Sequence, residues 1–349
     1  MLVVRNIREC DIESLFQLVG QAEKGLTSLK VSRDSLVTRV SESLRAFANP
    51  TAKPAGQPYV FVMEDTVTQK IVGTSAIYSK VGGFQPNYTY QIETKVKQSE
   101  ELGVKRGFSV LHLKREHDGP TEIGSLFLDP GYWGKGLGRL LSLARFIFMA
   151  DFPSRFEKEV IAEMRGIVDE NGRSPLWSAL GAHFFQIEYP KADTLTSESK
   201  KFIADLMPEY PIYVTLLPEE AQKVIGKVHD NTRPALELLK QEGFEYRGVV
   251  DIFDGGPAVH CEITNIRTVR QSISGSVGNV VESVTGDNQL LISNSKIEFC
   301  CCLGHVNWHE QNDNQKDDQK ATIDTATAKA LNLKVGDPLR TVTIKPLKK

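Results

Sequence analysis

The sequence predicts an α+β fold, and three observations support that prediction. The first is the order strand, helix, helix, strand, strand in the N-terminal part of the chain. The second is a glycine-rich loop at residues 133–138 that joins an apolar run to an amphipathic helix. The third is a change of character near Cys261, after which short β-prone runs alternate with turns rich in Gly, Ser, Asn and Asp.

Hydrophobic periodicity defines the N-terminal elements. A first strand begins at residues 2–4, and two amphipathic helices follow, the second over residues 32–47. Strands over residues 59–63 and 71–78 are predicted to pair as a hairpin. Residues 79–120 are rich in aromatic and charged side chains. They either shape a ligand pocket or form a solvated segment with small strands of its own.

The glycine-rich loop, with Gly134, Gly136 and Gly138, is typical of a phosphate site. The apolar run at residues 125–128 stops at a turn, and the loop then opens directly into a helix. Glycines allow the backbone to approach an anion closely, and the helix dipole favours negative charge there. The Walker pattern is excluded because no Gly-Lys-Ser/Thr closes the loop, and the dinucleotide pattern requires a different glycine spacing.

The pattern of elements continues after the central helix. Residues 159–165 are predicted as a strand and residues 169–172 as a turn, and a short helix begins near Ser174 with Pro at its first turn. A fainter copy of this pattern occurs over residues 231–253. Residues 191–260 therefore either contain part of a second unit of the same design, or the similarity arose by chance.

The C-terminal quarter is predicted to be a separate domain. Its short β-prone runs, followed by a short helix, a Gly-Asp turn and a last strand, are typical of a small β-barrel. We therefore predict one domain over residues 1–260 and a β-barrel domain over residues 261–349. Within the second domain, the polar residues 307–319 are predicted to form a mobile loop.

Composition excludes several classes of protein. The chain has 349 residues, of which 40% are hydrophobic, and its formal net charge is −2. This balance predicts a folded core and no basic face for nucleic acid or for an anionic membrane. The N-terminus carries charges where a signal peptide needs an apolar run, and no apolar run reaches the roughly 20 residues of a membrane span. We expect a soluble, cytoplasmic protein.

The cysteines do not predict a metal site. Three of the five are adjacent, at residues 300–302, and Cys10 and Cys261 do not supply the second closely spaced pair of a structural zinc site. His305 and His309 keep a metal interpretation open, but reduced thiols that are buried or half-buried are favoured. We predict no metal and no permanently bound cofactor.

Several motifs resemble known acyltransferases. The loop is similar to the pyrophosphate loop of the GNAT superfamily of acyl-CoA N-acyltransferases, Arg/Gln-x-x-Gly-x-Gly/Ala, with Trp133 at the Arg/Gln position. The order of elements also resembles a GNAT fold. Longer segments, running from the N-terminus to about Arg270, resemble the arginine N-succinyltransferase family; they are GLTSL, YVFVMED, SLFLDP, GRLLSLARFIFMADFP, VIAEMRG, DENGRSPLW, KFIADLMPEYPIY, AQKVIGKVH and FEYRGVVDIFDGGP.

The resemblance implies a function and two site residues. The family transfers succinyl from succinyl-CoA to the α-amine of arginine, the first step of an arginine degradation route. Succinyl-CoA is therefore implied as co-substrate and L-arginine as acceptor. His229, in VIGKVH, matches the family's proton-donor histidine, and Leu126, in SLFLDP, matches its succinyl-CoA-contacting leucine. His183, in GAHFF, is interpreted as structural.

Other residues complete the predicted site. Gly134, Gly136 and Gly138 are expected to bind the CoA pyrophosphate. Glu122 and Glu163 lie where strand side chains could face the acceptor and bind a guanidinium. The alternative for these two glutamates is an ordinary place at the end of a strand.

Two departures from the family leave the acceptor open. Residues 82–124 differ from the family's usual elements, and the family's Glu-Leu-Cys before the leucine strand is Glu122-Ile123-Gly124 here. Separately, GNAT enzymes often carry a proton-donating tyrosine on the helix where Trp177 is the nearest aromatic residue, so the acid must come from elsewhere. Three functional classes therefore remain. They are an arginine N-succinyltransferase, an N-acyltransferase with another amine such as ornithine or with another acyl chain, and a non-catalytic acyl-CoA-binding regulatory protein. His229 argues against the third. A homo-oligomer is one option for the assembly state.

Overall fold

Helices and strands are mixed along the chain in the computed structural model, which describes residues 1–21, 32–50, 53–83, 85–196, 199–286, 289–309 and 319–346. The strands are β1 (Leu2–Asn6), β2 (Pro58–Asp65), β3 (Lys70–Tyr78), β4 (Asn87–Ser99), β5 (Val104–Glu116), β6 (Thr121–Leu128), β7 (Glu159–Glu163), β8 (Ile212–Tyr213), β9 (Glu245–Asp251), β10 (Pro257–Glu262), β11 (Ile273–Val281), β12 (Leu290–Ser293), β13 (Cys300–Gly304), β14 (Val306–Trp308), β15 (Lys320–Asp324) and β16 (Pro338–Thr343). The helices are α1 (Ile12–Gly20), α2 (Arg33–Ala48), α3 (Leu137–Asp151), α4 (Pro175–Ala179), α5 (Gly181–Phe185), α6 (Tyr189–Thr196), α7 (Lys201–Leu206), α8 (Glu219–Val224), α9 (Arg233–Glu242), α10 (Arg267–Gln271) and α11 (Thr325–Ala330). The predicted combination of helices and strands is confirmed, whereas the GLTSL segment lies outside the described residues.

These strands form one open sheet. Their order is β14-β15-β11-β16-β12-β13-β1-β2-β3-β6-β7-β10-β9-β4-β5-β8. Two neighbouring pairs, β6 with β7 and β11 with β15, run parallel. The predicted hairpin of β2 and β3 is confirmed, with Tyr59 opposite Ile77.

Side chains alternate between the two faces of the sheet, and each face has its own core. The long helix α3 packs on one face, where Leu140 and Ile147 share a core with Val160 and Ala162 of β7. Helices α1 and α2 cover the opposite face over β2 and β3. A further core gathers the short helices after β7 around the fully buried Trp177.

The insertion at residues 79–120 forms a long hairpin. Its strands β4 and β5 pair from Asn87 opposite Glu116 to Ser99 opposite Val104. The hairpin joins the sheet through β9 on one side and β8 on the other. Its outer half is exposed and its base is buried, so the insertion has strands of its own and also lines a cavity of the protein.

The C-terminal strands continue the sheet of the N-terminal half. In β13, Cys302 lies opposite Val3 of β1 and Cys301 lies opposite Val4. Because the described strands form an open sheet, the predicted closed barrel is not confirmed. The domain boundary between residues 260 and 261, and the second unit at residues 191–260, stay predictions.

The predicted loop at residues 307–319 is wrong at its start. Val306–Trp308 form β14, which pairs with β15 through Trp308 and Ala321. The alternation of apolar and polar residues covers only three positions, which is too short to be recognised as a strand next to the long polar run that follows. Residues 310–318 lie outside the described part of the chain.

Two further properties concern the whole described chain. Within its ranges, no helix combines the length and the apolarity that crossing a bilayer would require. The five cysteines are all reduced, with Cys10 exposed and Cys261, Cys301 and Cys302 buried.

Candidate functional site

The parallel strands β6 and β7 separate along their length and open a gap in the sheet. They pair only through Thr121 with Val160 and through Glu122 with Ile161. Further along β6, the pairing with β3 shifts register, and Ser125 there has a φ of 51°. This irregular backbone bends β6 away from β7. The β6–β7 gap is thus a place where the two strands no longer pair, and Leu126 lies on its β6 side.

The glycine-rich loop lies at the N-terminus of α3, close to the end of β6. Gly134 and Gly136 have φ values of 82° and 75°, a left-handed conformation that favours glycine. Among the described residues, no acceptor pairs with the backbone N–H groups of residues 134–138. A Cβ built at Gly138 would meet no atom within 4 Å. The loop therefore presents free N–H donors and open space at a helix N-terminus, which suits an anionic group.

Trp133 braces this loop. Its indole Nε1 donates a hydrogen bond of 2.9 Å to the carbonyl of Leu128, at the end of β6. The rest of the side chain is 64% exposed, although tryptophan is a large apolar residue. The indole therefore holds the loop against β6 and keeps a ring face open to solvent.

The loop and the predicted carboxylates lie on opposite sides of the sheet. Ile123 and Ala162 face the core that contains α3. Because side chains alternate along a strand, Glu122 and Glu163 face the other side. The β6–β7 gap lies between the α3 side, which carries the loop, and the side that carries the carboxylates.

The two carboxylates form a connected polar group. Glu122 is half-buried, and burial together with the nearby Glu163 raises its pKa to about 8, against the opposing effect of the cations Lys200 and Arg39. Asn87 donates a hydrogen bond of 3.3 Å to Glu163 and accepts one of 2.8 Å from the Lys200 ammonium. A cation and two carboxylates thus meet where the gap opens.

A polar cavity of about 240 Å³ continues from Glu163 along the sheet. Strands β4, β5, β7, β9 and β10 surround it. Its charged, amide and imidazole side chains are Asn87, Gln91, Lys114, Glu116, Glu159, Glu163, Arg247 and His260. The cavity is large enough for an amino acid, and its acidic side chains suit an acceptor that carries positive charge.

His229 lies next to the end of β7. Its backbone N–H donates a hydrogen bond of 2.9 Å to the carbonyl of Arg165, two residues after Glu163. Its ring nitrogen Nδ1 accepts a hydrogen bond of 3.2 Å from the backbone N–H of Asn231. A neutral imidazole with Nδ1 as acceptor carries its proton on Nε2. The turn that carries His229 is therefore fixed to the strand that borders the gap, and the imidazole is set as an Nε2–H donor.

The buried Asp254 holds this end of β7 in place, and the half-buried Asp251 accepts hydrogen bonds from the backbone N–H groups of Phe253 and Asp254. Asp254 accepts hydrogen bonds from the backbone N–H groups of Gly166 and Gly256, at 2.7 and 2.8 Å. Burial raises the pKa of Asp254 and of its neighbour Asp251, so the pair holds a proton more strongly than exposed aspartates do. A Cβ at Gly256 would lie 2.0 Å from the carbonyl of Met164, which explains the glycine there.

The structure gathers the predicted residues in two groups. The three glycines lie in the loop, and Leu126, Glu122 and Glu163 lie around the gap, with His229 beside the end of β7. His183 is exposed on α5, away from these groups. Sequence reasoning missed Asn87, Lys200, Asp251 and Asp254. The Asp-Gly-Gly-Pro run at residues 254–257 was a signal for a tight turn, but nothing in it indicated the partner strand.

Comparisons with known proteins identify the family of this chain. A family model described as arginine N-succinyltransferase beta subunit matches residues 2–268. The arginine N-succinyltransferase of Citrobacter koseri is 40% identical over 350 residues, which cover 99% of this chain and 98% of the relative. That of Salmonella schwarzengrund is 45% identical over 273 residues, or 78% of this chain and 79% of the relative. Among solved structures, the arginine/ornithine succinyltransferase subunit AI of Pseudomonas aeruginosa has a TM-score of 0.86 and 30% identity, with 99% of each chain covered.

Proposed function

The chain belongs to the arginine N-succinyltransferase family, and we propose that it transfers succinyl from succinyl-CoA to the α-amine of L-arginine, giving N2-succinyl-L-arginine and CoA. One observation supports this proposal above the others. An anion-binding loop and a polar cavity with three glutamates lie on opposite faces of the sheet, and the β6–β7 gap lies between them. The thioester of a CoA held at the loop reaches the acceptor through that gap.

We assign the CoA pyrophosphate to the loop. The free N–H groups of residues 134–138 and the positive end of the α3 dipole bind its negative charge. The backbone N–H at Leu126, beside the irregular residue Ser125, is assigned to the thioester oxygen. A donor aimed at a developing oxyanion contributes about 3 kcal/mol to the transition state.

The transfer itself forms one bond and breaks one. The neutral α-amine attacks the thioester carbonyl, the new C–N bond forms, and the C–S bond breaks with its electron pair leaving on CoA sulfur. The ammonium formed at nitrogen gives a proton to the His229 imidazole, and the imidazolium formed in this way gives a proton to the CoA thiolate. We assign the proton that reaches sulfur to Nε2 of His229. The attacking amine is bound by the Glu122–Glu163 pair.

A second candidate acceptor has a specific observation behind it. The Pseudomonas aeruginosa relative is named for both arginine and ornithine, and its similarity covers nearly the whole chain. Ornithine carries the same α-amino and α-carboxylate groups and a shorter cationic side chain. The cytoplasmic location and the homo-oligomer stay predictions.

A steady-state assay tests the proposed reaction. Succinyl-CoA and acetyl-CoA are each paired with arginine, ornithine and lysine, with CoA release and product mass as readouts. We expect the highest kcat/KM for succinyl-CoA with arginine. Transfer to ornithine alone would select the second acceptor. Tight CoA binding without any transfer would instead identify a non-catalytic acyl-CoA-binding protein.

The variant His229→Asn tests the proton donor in the same assay. Asparagine keeps the hydrogen-bonding capacity but does not titrate, so kcat should fall about 10²–10⁴-fold while the KM for succinyl-CoA changes little. His183→Asn, at an exposed histidine, is the control and should match the wild type. Normal turnover in His229→Asn would assign His229 a structural role.

A further inference from the structure

The cavity beside the gap contains a carboxylate that the transfer step does not use. Glu116, the last residue of β5, is half-buried in its wall. In the described part of the chain, no salt bridge or hydrogen bond engages its carboxylate. By contrast, the Glu159 carboxylate accepts a hydrogen bond of 2.6 Å from Arg247, which neutralises it. Glu116 therefore brings a carboxylate without a direct partner in the described ranges into a partly enclosed space, whose lining also contains the cations Lys114 and Arg247.

His260 adds a second unsatisfied group to the same cavity. Its side chain is only 12% exposed, and its Nδ1 lies 3.7 Å from Glu159, beyond hydrogen-bonding distance. Neither ring nitrogen has a hydrogen-bond partner among the residues that the structure describes. Burial lowers the pKa of His260, so the imidazole is neutral near pH 7 and one ring nitrogen accepts a hydrogen bond. Buried polar atoms without partners are rare and commonly mark a place for a ligand or water.

We propose that Glu116 and His260 bind the guanidinium of the acceptor arginine and so determine which amine the enzyme selects. This inference rests on the proposed succinyl transfer to arginine. A guanidinium offers five N–H donors in one plane. The Glu116 carboxylate accepts from two of them and balances the charge, and the free ring nitrogen of His260 accepts another.

The dimensions of the cavity fit this orientation. Glu163 and Glu159 lie on one face of β7, four residues apart, which corresponds to about 13 Å along the strand. An extended arginine places its guanidinium carbon about 7 Å from its α-nitrogen. With the α-amine at Glu163, beside the gap, the guanidinium falls inside the cavity. Lys200, at the Glu163 end, supplies the cation for the α-carboxylate.

Citrulline is the probe that isolates this contact. It has the length and shape of arginine but carries a neutral ureido group. In wild-type protein, kcat/KM for arginine should exceed that for citrulline about 100-fold or more, because the neutral ureido group does not balance the half-buried Glu116 charge and offers fewer N–H donors. In Glu116→Gln, the KM for arginine should rise about 10–100-fold, with kcat and the KM for succinyl-CoA nearly unchanged. The ratio of kcat/KM for arginine to that for citrulline should fall close to one in this variant.

Three further variants sharpen the test. Glu116→Asp keeps the charge and should restore part of the preference for arginine. His260→Phe keeps an aromatic ring but removes the acceptor nitrogen. It should lower kcat/KM for arginine more than kcat/KM for citrulline. Glu101→Gln, in the exposed turn of the same hairpin, is the matched control and should match wild type. Thermal melts establish that each variant is folded.

The outcomes separate this inference from the function on which it rests. If the wild type does not succinylate arginine, the proposed function fails before any variant is needed. If the wild type does so and both Glu116→Gln and His260→Phe keep its ratio of arginine to citrulline, the guanidinium is bound elsewhere and the inference is overturned. A collapse of the ratio in Glu116→Gln with partial recovery in Glu116→Asp supports it.

Discussion

Glu122 illustrates how the fold changes the chemistry of one side chain. Its ordinary pKa of 4.5 rises to about 8, first because the side chain is removed from water and then because Glu163 repels its negative charge. The carboxyl is thus largely protonated near neutral pH. The protonated carboxyl donates one hydrogen bond, and the ionised carboxylate accepts hydrogen bonds from an ammonium. Both properties suit a group next to an attacking amine.

This raised pKa predicts a pH dependence of stability. Between pH 4.5 and about 8 the folded state holds the Glu122 proton that the unfolded state has lost, so the free energy of unfolding falls as pH rises through that window. Glutamine cannot ionise, so the free energy of unfolding of Glu122→Gln should fall less steeply with pH. Toward pH 8 the variant should therefore become more stable relative to wild type. A gain of 1 kcal/mol corresponds to about 1–2 °C in Tm for a chain of this length. Melts of wild type, Glu122→Gln and the exposed control Glu262→Gln across this range measure the effect. Parallel curves for wild type and Glu122→Gln would contradict it.

For individual residues, the sequence predicted those members of the candidate site that lie inside recognisable motifs. His229, Leu126 and the loop glycines stand in segments that can be matched one position at a time. Glu116 and His260 do not, because they come from different strands and meet only when the sheet curves around the cavity. Their environment is a property of the tertiary structure, and no local pattern indicates it.

Among the elements, the loop between β6 and α3 is the clearest link between sequence and function. Gly134 and Gly136 are required by their positive φ, but Gly138 is in the first turn of α3 with open space where a Cβ would lie. A substitution at residue 138 therefore tests ligand binding with little disturbance of the fold.

Gly138→Asp should place a carboxylate against the CoA phosphates. Repulsion between like charges costs several kcal/mol, which corresponds to a loss of CoA affinity of about 10²-fold or more. Gly138→Ala fills the same space without charge and serves as the control, with a much smaller loss. Isothermal titration with CoA measures the affinity, and circular dichroism checks that the helix is kept. Equal affinity in Gly138→Asp and wild type would remove the pyrophosphate from this loop.

The elements show where sequence reasoning succeeds and where it stops. The β2–β3 hairpin and the loop that opens into α3 follow from short patterns, and both are present. The pairing of β13 with β1 joins residues about 300 positions apart, and apolar runs in both strands are compatible with many partners. The packing of α3 against both halves of the sheet favours this one.

On the scale of the whole molecule, that pairing bears on whether the C-terminal residues form an independent domain. Cys301 and Cys302 in β13 are fully buried between β1 and β12. Burial raises the pKa of Cys301 and Cys302, and raises that of Cys300 to about 12. Cys261, in β10 opposite Val160 of β7, has a pKa raised to about 11 for the same reason. A thiol reagent therefore finds almost no thiolate at these positions while the sheet is intact.

Alkylation followed by mass spectrometry turns these cysteines into a probe of the domain division. Near neutral pH the exposed Cys10 should react quickly and the other four only when denaturant unfolds the chain. If the continuous sheet unfolds as one unit, Cys261 and Cys300–Cys302 become reactive at the same denaturant concentration. A substitution of Cys10 by serine supplies the control, since it should remove the fast phase and leave the denaturant midpoint unchanged. Modification of residues 300–302 at a clearly lower denaturant concentration than Cys261 would show instead that residues 261–349 unfold separately, because the β1–β13 pairing would then break before the core around α3.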